Sequence, residues 1–121
     1  MRFATLTFDA LDPELLGAFW AQLCGGRVVP GNDPPETLVV VPHTPTTLLF
    51  LPVSDPTAGK NRCHPDLHTD TLESDVALAR ELGAKVLAAH QETSRWVVLA
   101  DPEGNEFCLV ERLGDWLHIN E

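Results

Sequence analysis

Two short segments of the sequence carry side chains that could bind a metal ion or move a proton. His64 and His68 lie in one segment with the character of a β-strand, and Glu106 and Cys108 lie in another. Because side chains alternate between the two faces of a strand, each pair is expected to share one face of a sheet. Imidazole, carboxylate and thiolate groups are common protein ligands of zinc and iron. These four residues are therefore the first candidates for chemistry, and His64 is also a candidate general base.

The elements that must position these residues follow the same order twice along the chain: a strand, a helix and three strands. The first helix is predicted to begin after Asp12 as N-cap and to end at Gly25, and the second to span 71–82 and end at Gly83. The predicted strands are 3–8, 27–29, 37–41 and 46–51 in the first half, and 63–69, 85–89, 95–100 and 106–111 in the second.

This order predicts an α+β fold in which two βαβββ modules form a curved, partly open barrel of mixed sheets. We expect a single domain over 1–121, with module 1 at about 1–53, a linker at 54–61, module 2 at about 62–112 and a C-terminal tail at 113–121. Each module has one helix to cover one sheet face, so the second module, a partner chain or a ligand must cover the other. A concave and partly apolar sheet face is where a small molecule would bind.

Charge and composition exclude several classes of function. The 121 residues carry a formal net charge of −10, which repels phosphate backbones, so nucleic acid is not an expected partner. The same charge favours cationic ligands, although an acidic surface also simply keeps a protein soluble. Cys24, Cys63 and Cys108 form no CxxC and cannot all pair, which indicates a reducing compartment. No signal peptide or apolar run of membrane-spanning length is evident, so we expect a cytoplasmic protein with no membrane partner.

Three motifs in the second half and one in the first carry a family resemblance. They are Asn61-Arg62-x-His64 entering a strand, Glu81-Leu82-Gly83-Ala84 at a helix end, the turn Asp101-Pro102-Glu103-Gly104-Asn105, and Ala18-Phe19-Trp20 in a helix that ends at Gly25-Gly26. Together they resemble the glyoxalase-like branch of the vicinal-oxygen-chelate superfamily, which includes bleomycin-resistance-like proteins. The resemblance spans nearly the whole chain, but this fold hosts many chemistries and the substrate does not follow from it.

The resemblance implies four metal-ligand positions, one near the start of the first strand and one on the last strand of each module. In module 1 the two positions match Phe3 and, according to register, one of Leu49, Phe50 and Leu51. In module 2 they match His64 and Cys108. Phenyl and alkyl groups bind no metal ion, so only His64 and Cys108 remain, whereas zinc and iron sites usually need three or four protein ligands.

His68 and Glu106 could add ligands, because they alternate onto the same faces as His64 and Cys108. However, strand residues i and i+4 are roughly 13 Å apart, so His64 and His68 cannot bind one ion. We therefore expect no cofactor and disfavour a divalent metal, with His64 and Cys108 as its ligands if one is present.

The residues expected to contact a ligand lie on the predicted strands or where the chain enters them. They are Phe3, Phe50, Arg62, His64, His68, Trp96, Glu106 and Cys108. Arg62 could bind an anionic group or, with Asn61, hold the linker to the sheet, and Trp96 could supply a stacking surface. His64 could instead hydrogen-bond to Asp66 or serve the fold, and Cys108 is expected to be a small buried apolar residue.

Two hypotheses of different classes follow. The favoured one is a small-molecule-binding protein with a degenerate metal site that sequesters a ligand or drug. The alternative is a glyoxalase-like lyase, isomerase or dioxygenase that uses a divalent metal or His64 as base. Association with another protein is a third option; exposed sheet faces favour a homodimer, with swapped and unswapped arrangements both open.

Overall fold

Each half of the chain forms a four-stranded mixed sheet with one helix, as the order of elements predicts. The computed structural model describes residues 1–55, 59–91 and 95–111. The chain divides into two compact units, residues 1–59 and residues 60–121. The predicted tail 113–121 lies outside the described residues, as do residues 56–58 of the predicted linker.

Unit 1 contains the first helix and four strands. Its elements are β1 (Thr5–Ala10), α1 (Pro13–Cys24), β2 (Arg27–Pro30), β3 (Thr37–Val40) and β4 (Thr47–Pro52). The strand order in the sheet is β1-β4-β3-β2. The β1–β4 pair is parallel, and the other two pairs are antiparallel.

Unit 2 repeats this arrangement. Its elements are β5 (Asp66–His68), α2 (Leu72–Glu81), β6 (Lys85–Gln91), β7 (Arg95–Ala100) and β8 (Glu106–Val110). The strand order is β5-β8-β7-β6, again with the first pair parallel. Neither helix of the described chain is long and apolar enough to cross a bilayer.

Local sequence sets the bounds of α1. Asp12 Oδ1 accepts a hydrogen bond from the Leu15 backbone N–H at 3.1 Å, and Pro13 occupies the first turn, where no N–H is needed. The helix ends at Gly25, whose φ of 66° is in the left-handed region that glycine adopts without strain. These signals are local in sequence, and the predicted bounds of this helix are confirmed.

The core of each unit lies between its helix and one face of its sheet. In unit 1, Phe8 stacks on Phe50 with ring centroids 5.1 Å apart, and Trp20 lies 5.6 Å from Phe8. In unit 2, the buried residues include Leu99 and Phe107. Because burial of such side chains is the main favourable term in folding, these two clusters hold each helix on its sheet.

Seven of the eight predicted strands have different bounds in the structure, and the changes in the first and fifth bear on the candidate site. The first predicted strand, 3–8, is observed as Thr5–Ala10, because Phe8 and Ala10 are the residues buried on the helix side. The predicted strand 63–69 is reduced to Asp66–His68. Pro65 has no N–H to donate to a ladder, but its carbonyl accepts a hydrogen bond from the Cys108 N–H at 2.9 Å.

The turn between β7 and β8 is held by one carboxylate. Asp101 Oδ1 accepts hydrogen bonds from the backbone N–H groups of Glu103 and Asn105, both at 2.9 Å. Gly104 has a φ of 87°, which glycine allows. The turn sets Ala100 opposite Glu106 and Val98 opposite Cys108. These contacts give the turn a structural role.

The two glycines after α1 give a test of this local structure. A Cβ on Gly26 would lie 2.4 Å from the backbone oxygen of Val40, whereas a Cβ on Gly25 would meet no atom within 4 Å. Gly26→Ala should therefore lower the free energy of unfolding by about 3 kcal/mol, because backbone must move. Gly25→Ala should lower it by about 1 kcal/mol, for its positive φ alone. Urea unfolding followed by circular dichroism measures both, and an equal or smaller loss for Gly26→Ala would contradict the close approach.

Candidate functional site

The strand register of unit 2 brings the candidate residues of two distant segments together. Asp66 lies opposite Cys108 in the parallel β5–β8 pair, and Cys108 lies opposite Val98 in the antiparallel pair. Residues directly opposite each other share a sheet face. We call the face of this sheet opposite α2 the site face; its members include Asp66, His68, Trp96, Val98, Glu106, Cys108 and Val110.

Three potential ligand groups converge at one end of β5. His64 Nδ1 lies 3.0 Å from Asp66 Oδ1. His64, Asp66 and Cys108 each have one potential metal-ligand atom, and these three atoms lie within 4.8 Å of one another. The side chains of His64 and Asp66 are 46% and 38% exposed, whereas Cys108 is only 7% exposed. We call these three residues the His64 cluster. Solvent therefore reaches the imidazole and the carboxylate of the cluster, whereas the thiol is buried.

Cys108 is a thiol rather than a thiolate at neutral pH. Burial raises its pKa to about 11, and the charge of Asp66, a hydrogen bond to Asp66 and the charge of Glu106 act in the same direction. A thiol in this state is a weak nucleophile. The structure thus places the predicted buried cysteine beside the predicted candidate base.

Two contacts hold the segment before β5 on the sheet of unit 2. Lys60 Nζ lies 3.4 Å from Glu106 Oε1, and Asn61 Nδ2 donates to Asn105 Oδ1 at 2.8 Å. Asn61 therefore has the structural role considered from the sequence. Arg62 is exposed, and its expected role in binding an anionic group stays a prediction.

His68 and Trp96 lie on the site face but outside the His64 cluster. His68 Nε2 lies 3.6 Å from Asp70 Oδ1. The Trp96 ring stacks on His90 with centroids 4.6 Å apart and planes inclined by 16°. Trp96 is half-buried, so its ring combines a fixed orientation with some access for a stacked ligand.

The two expected ligand contacts of unit 1 lie in different surroundings. Phe3 precedes β1 and is 91% exposed. Phe50 is 0% exposed and stacks on Phe8 on the helix side of its sheet. Since neighbouring residues of a strand point to opposite faces, the side chain of Phe50 belongs to the core and we leave it out of the candidate site.

Backbone register identifies the residues of unit 1 that correspond to the His64 cluster. Thr7 precedes Pro13 of α1 by six residues and lies opposite Leu49, as Asp66 precedes Leu72 of α2 by six and lies opposite Cys108. Thr5, two residues before Thr7, then corresponds to His64. The metal-ligand position that the family resemblance places at Phe3 is therefore occupied by Thr5. The ligand position on the last strand of unit 1 is Leu49 rather than Phe50 or Leu51.

The unit 1 counterparts cannot supply strong metal ligands. Thr5 Oγ1 and Thr7 Oγ1 lie 2.9 Å apart and hydrogen-bond to each other, and Leu49 is an alkyl side chain. Neutral hydroxyl and alkyl groups are not among the usual ligands of zinc or iron. Within residues 1–55, 59–91 and 95–111, the group of three that could hold an ion is His64, Asp66 and Cys108.

Asp66 is not among the ligands that the sequence predicts. The alternation His64-x-Asp66-x-His68 is the signal that points to it, because it predicts a shared face for the three residues. Which of them meets Cys108 depends on the pairing of β5 with β8, and that pairing is not local in sequence. Asp66 raises the number of donors near one point from the predicted two to three.

A second concave region lies on the other side of the unit 2 sheet. It is a groove of about 260 Å³ between α2 and strands β6 and β7, lined by Leu72, Glu73, Val76, Ala89, His90, Arg95 and Val97. Arg95 at its rim is engaged by Glu73 at 2.6 Å and by both carboxylate oxygens of Glu111. The groove shares no residue with the His64 cluster.

Comparison with known proteins connects this geometry to a family. The family model described as a glyoxalase-like domain matches residues 5–110. No curated protein matches the sequence. Solved structures with the same fold include a glyoxalase/bleomycin resistance protein/dioxygenase family enzyme from Burkholderia phytofirmans PsJN, with a TM-score of 0.75 and 20% identity over 90% of this chain and 97% of that chain.

Two further similar structures have functional names. The fosfomycin resistance protein FosX from Listeria monocytogenes has a TM-score of 0.78 and 10% identity over 99% of this chain and 98% of its own. TnmS3, an antibiotic binding protein from Streptomyces sp. CB03234, has a TM-score of 0.66 and 20% identity over 92% of this chain and 95% of its own. At these identities the likeness shows the fold, and it confirms the predicted two-module α+β class.

The state of the three thiols gives a prediction. Burial raises the pKa of Cys24 and of Cys108 to about 11, so roughly one in a thousand of each is thiolate at pH 8. Cys63 is exposed. Iodoacetamide at pH 8, followed by peptide mass spectrometry, should alkylate Cys63 first, and the rate at Cys108 should rise towards pH 10. Fast labelling of Cys108 at pH 8 in folded protein would contradict the protonated thiol.

Proposed function

Because the chain belongs to the glyoxalase-like domain family of the vicinal-oxygen-chelate superfamily, we propose that it binds a small organic molecule and sequesters it without a catalytic metal. The observation that carries this proposal is the difference between the two units. Where unit 2 has His64 and Cys108, unit 1 has Thr5 and Leu49. Family members that use a metal need ligands from both modules, and unit 1 has none at these positions.

The side chains of the site face favour a cationic and aromatic ligand. Trp96 offers a flat surface for stacking and for contact with a positive charge. Asp66 and Glu106 offer carboxylates, and Glu106 is shared with Lys60 at 3.4 Å. The net charge of −10 adds an overall field of the same sign. The site therefore combines apolar contact with a local and a general attraction for cations.

The names of two similar structures support binding without defining the ligand. FosX is named for fosfomycin resistance, and TnmS3 is named an antibiotic binding protein. Both have the fold of this chain at low identity, so they illustrate that the fold accommodates small molecules. Sequestration requires complementary shape and charge and no reacting group. A homodimer in the cytoplasm remains part of the proposal, on the sequence argument that the sheet faces need cover.

The second candidate function is an enzyme, and the His64 cluster is the observation that favours it. An imidazole, a carboxylate and a thiol that metal binding would deprotonate lie within 4.8 Å of one another, which is a chemically suitable donor set for zinc. A bound divalent ion would be held by His64, Asp66 and Cys108 and would supply Lewis-acid polarisation of a ligand oxygen. Without a metal, His64 oriented by Asp66 could act as a general base in a lyase, isomerase or dioxygenase reaction.

Glu106 gives a direct test of cation binding. A panel of cationic aromatic compounds is screened by thermal shift and by quenching of tryptophan fluorescence, each with and without added divalent metal. Glu106→Gln should weaken a cationic hit about fivefold, equivalent to about 1 kcal/mol, because one carboxylate leaves the site face. The control Glu81→Gln removes the same charge from an exposed position of α2 and should leave affinity unchanged. A panel without a single hit would overturn the proposal.

Metal content separates the two candidate functions. Sequestration without a metal predicts well below one zinc, iron or copper ion per chain after dialysis, measured by inductively coupled plasma mass spectrometry. The enzyme candidate predicts one ion per chain that is lost in His64→Ala and kept in His68→Ala, since His68 is outside the three-donor group. Stoichiometric metal with that pattern would replace the first candidate by the second.

A further inference from the structure

Asp66 lies close to both other members of the His64 cluster. Its Oδ1 lies 3.0 Å from His64 Nδ1, and a carboxylate oxygen lies within 4.8 Å of Cys108 Sγ. At the corresponding place in unit 1, Thr7 hydrogen-bonds through its hydroxyl to Thr5. Asp66 thus has a specific set of partners that the metal-ligand pattern of the family does not require.

The protons of this cluster can be assigned from its chemistry. An ionised carboxylate only accepts hydrogen bonds, so the contact at 3.0 Å requires a proton on His64 Nδ1. A neutral imidazole carries one N–H, and its position is set by the hydrogen bond that one ring nitrogen makes. A proton on Nδ1 leaves Nε2 with a lone pair. His64 is 46% exposed, so that lone pair is within reach of a ligand.

We infer that Asp66 is a positioning residue that holds His64 in its Nδ1–H form and presents Nε2 as an acceptor for an N–H group of a protonated amine ligand. This inference rests on the proposed binding function and names the ligand group that the site selects. The positive charge suits Asp66 and Glu106 on the same face, and the N–H suits the Nε2 lone pair. A cation without an N–H satisfies only the first of these requirements.

The ring protonation is measured without any ligand. Long-range 15N–1H NMR spectra, which distinguish the two neutral tautomers from the doubly protonated ring, are assigned by the resonances lost in His64→Ala. The expected pattern for wild type is a protonated Nδ1 and an unprotonated Nε2. Asp66→Ala should move the ring towards the Nε2–H form, and Asp70→Ala should not, although its carboxylate lies 3.6 Å from His68. An Nε2–H ring in wild type would overturn the role of Asp66, even if the variant fails to fold.

The selection of an amine is tested with two probes that differ by one methyl group. Benzyldimethylammonium has one N–H, and benzyltrimethylammonium has the same charge and ring but none. Wild type should bind the first at least about tenfold more tightly, and Asp66→Ala should lose this preference while Asp70→Ala keeps it. Equal affinity of wild type for both probes would overturn the selection of an amine. If neither probe binds although the ring is Nδ1–H, the proposed binding function fails and the positioning by Asp66 stands.

Discussion

The parallel pairing of β5 with β8 is the constraint on which the candidate site depends. β5 has only three residues, and hydrogen bonds on both sides fix it: the Pro65 carbonyl accepts from the Cys108 N–H, and the Thr69 N–H donates to the Val110 carbonyl. A shift of one residue in this register would turn the side chain of Asp66 to the α2 side of the sheet. The backbone hydrogen bonds of this strand pair therefore determine which side chains lie next to each other in the candidate site.

The turn at residues 101–105 acts on the same register from the other end of β8. Asp101 ties down the N–H groups of Glu103 and Asn105, and Asn61 in turn donates to the Asn105 side chain. This network joins the entry to β5 and the start of β8. The hydrogen bonds of the turn thus help to set where Cys108 lies relative to His64. The family motif and the candidate site are connected through strand register.

The sequence predicts the elements well where their signals are local. The N-cap of α1, its terminal glycine and the 101–105 turn are all set by side chains a few residues apart. The first strand was predicted two residues early, because residues 3–10 alternate in a way that suits either start. What selects Thr5–Ala10 is the burial of Phe8 and Ala10 on the helix side, which is tertiary packing. The proximity of Asp66 to Cys108 is non-local in the same sense and could not be predicted from spacing.

The two units have the same topology but different side chains at the positions of the candidate site. The ladder that pairs Thr7 with Leu49 is the backbone equivalent of the ladder that pairs Asp66 with Cys108. Its hydrogen bonds involve only main-chain groups, so the fold places no demand on the side chains at these positions. Threonine also suits a strand well. Donor groups could therefore differ between the units at little structural cost, and membership of the family predicts the backbone at these positions but not the side chains.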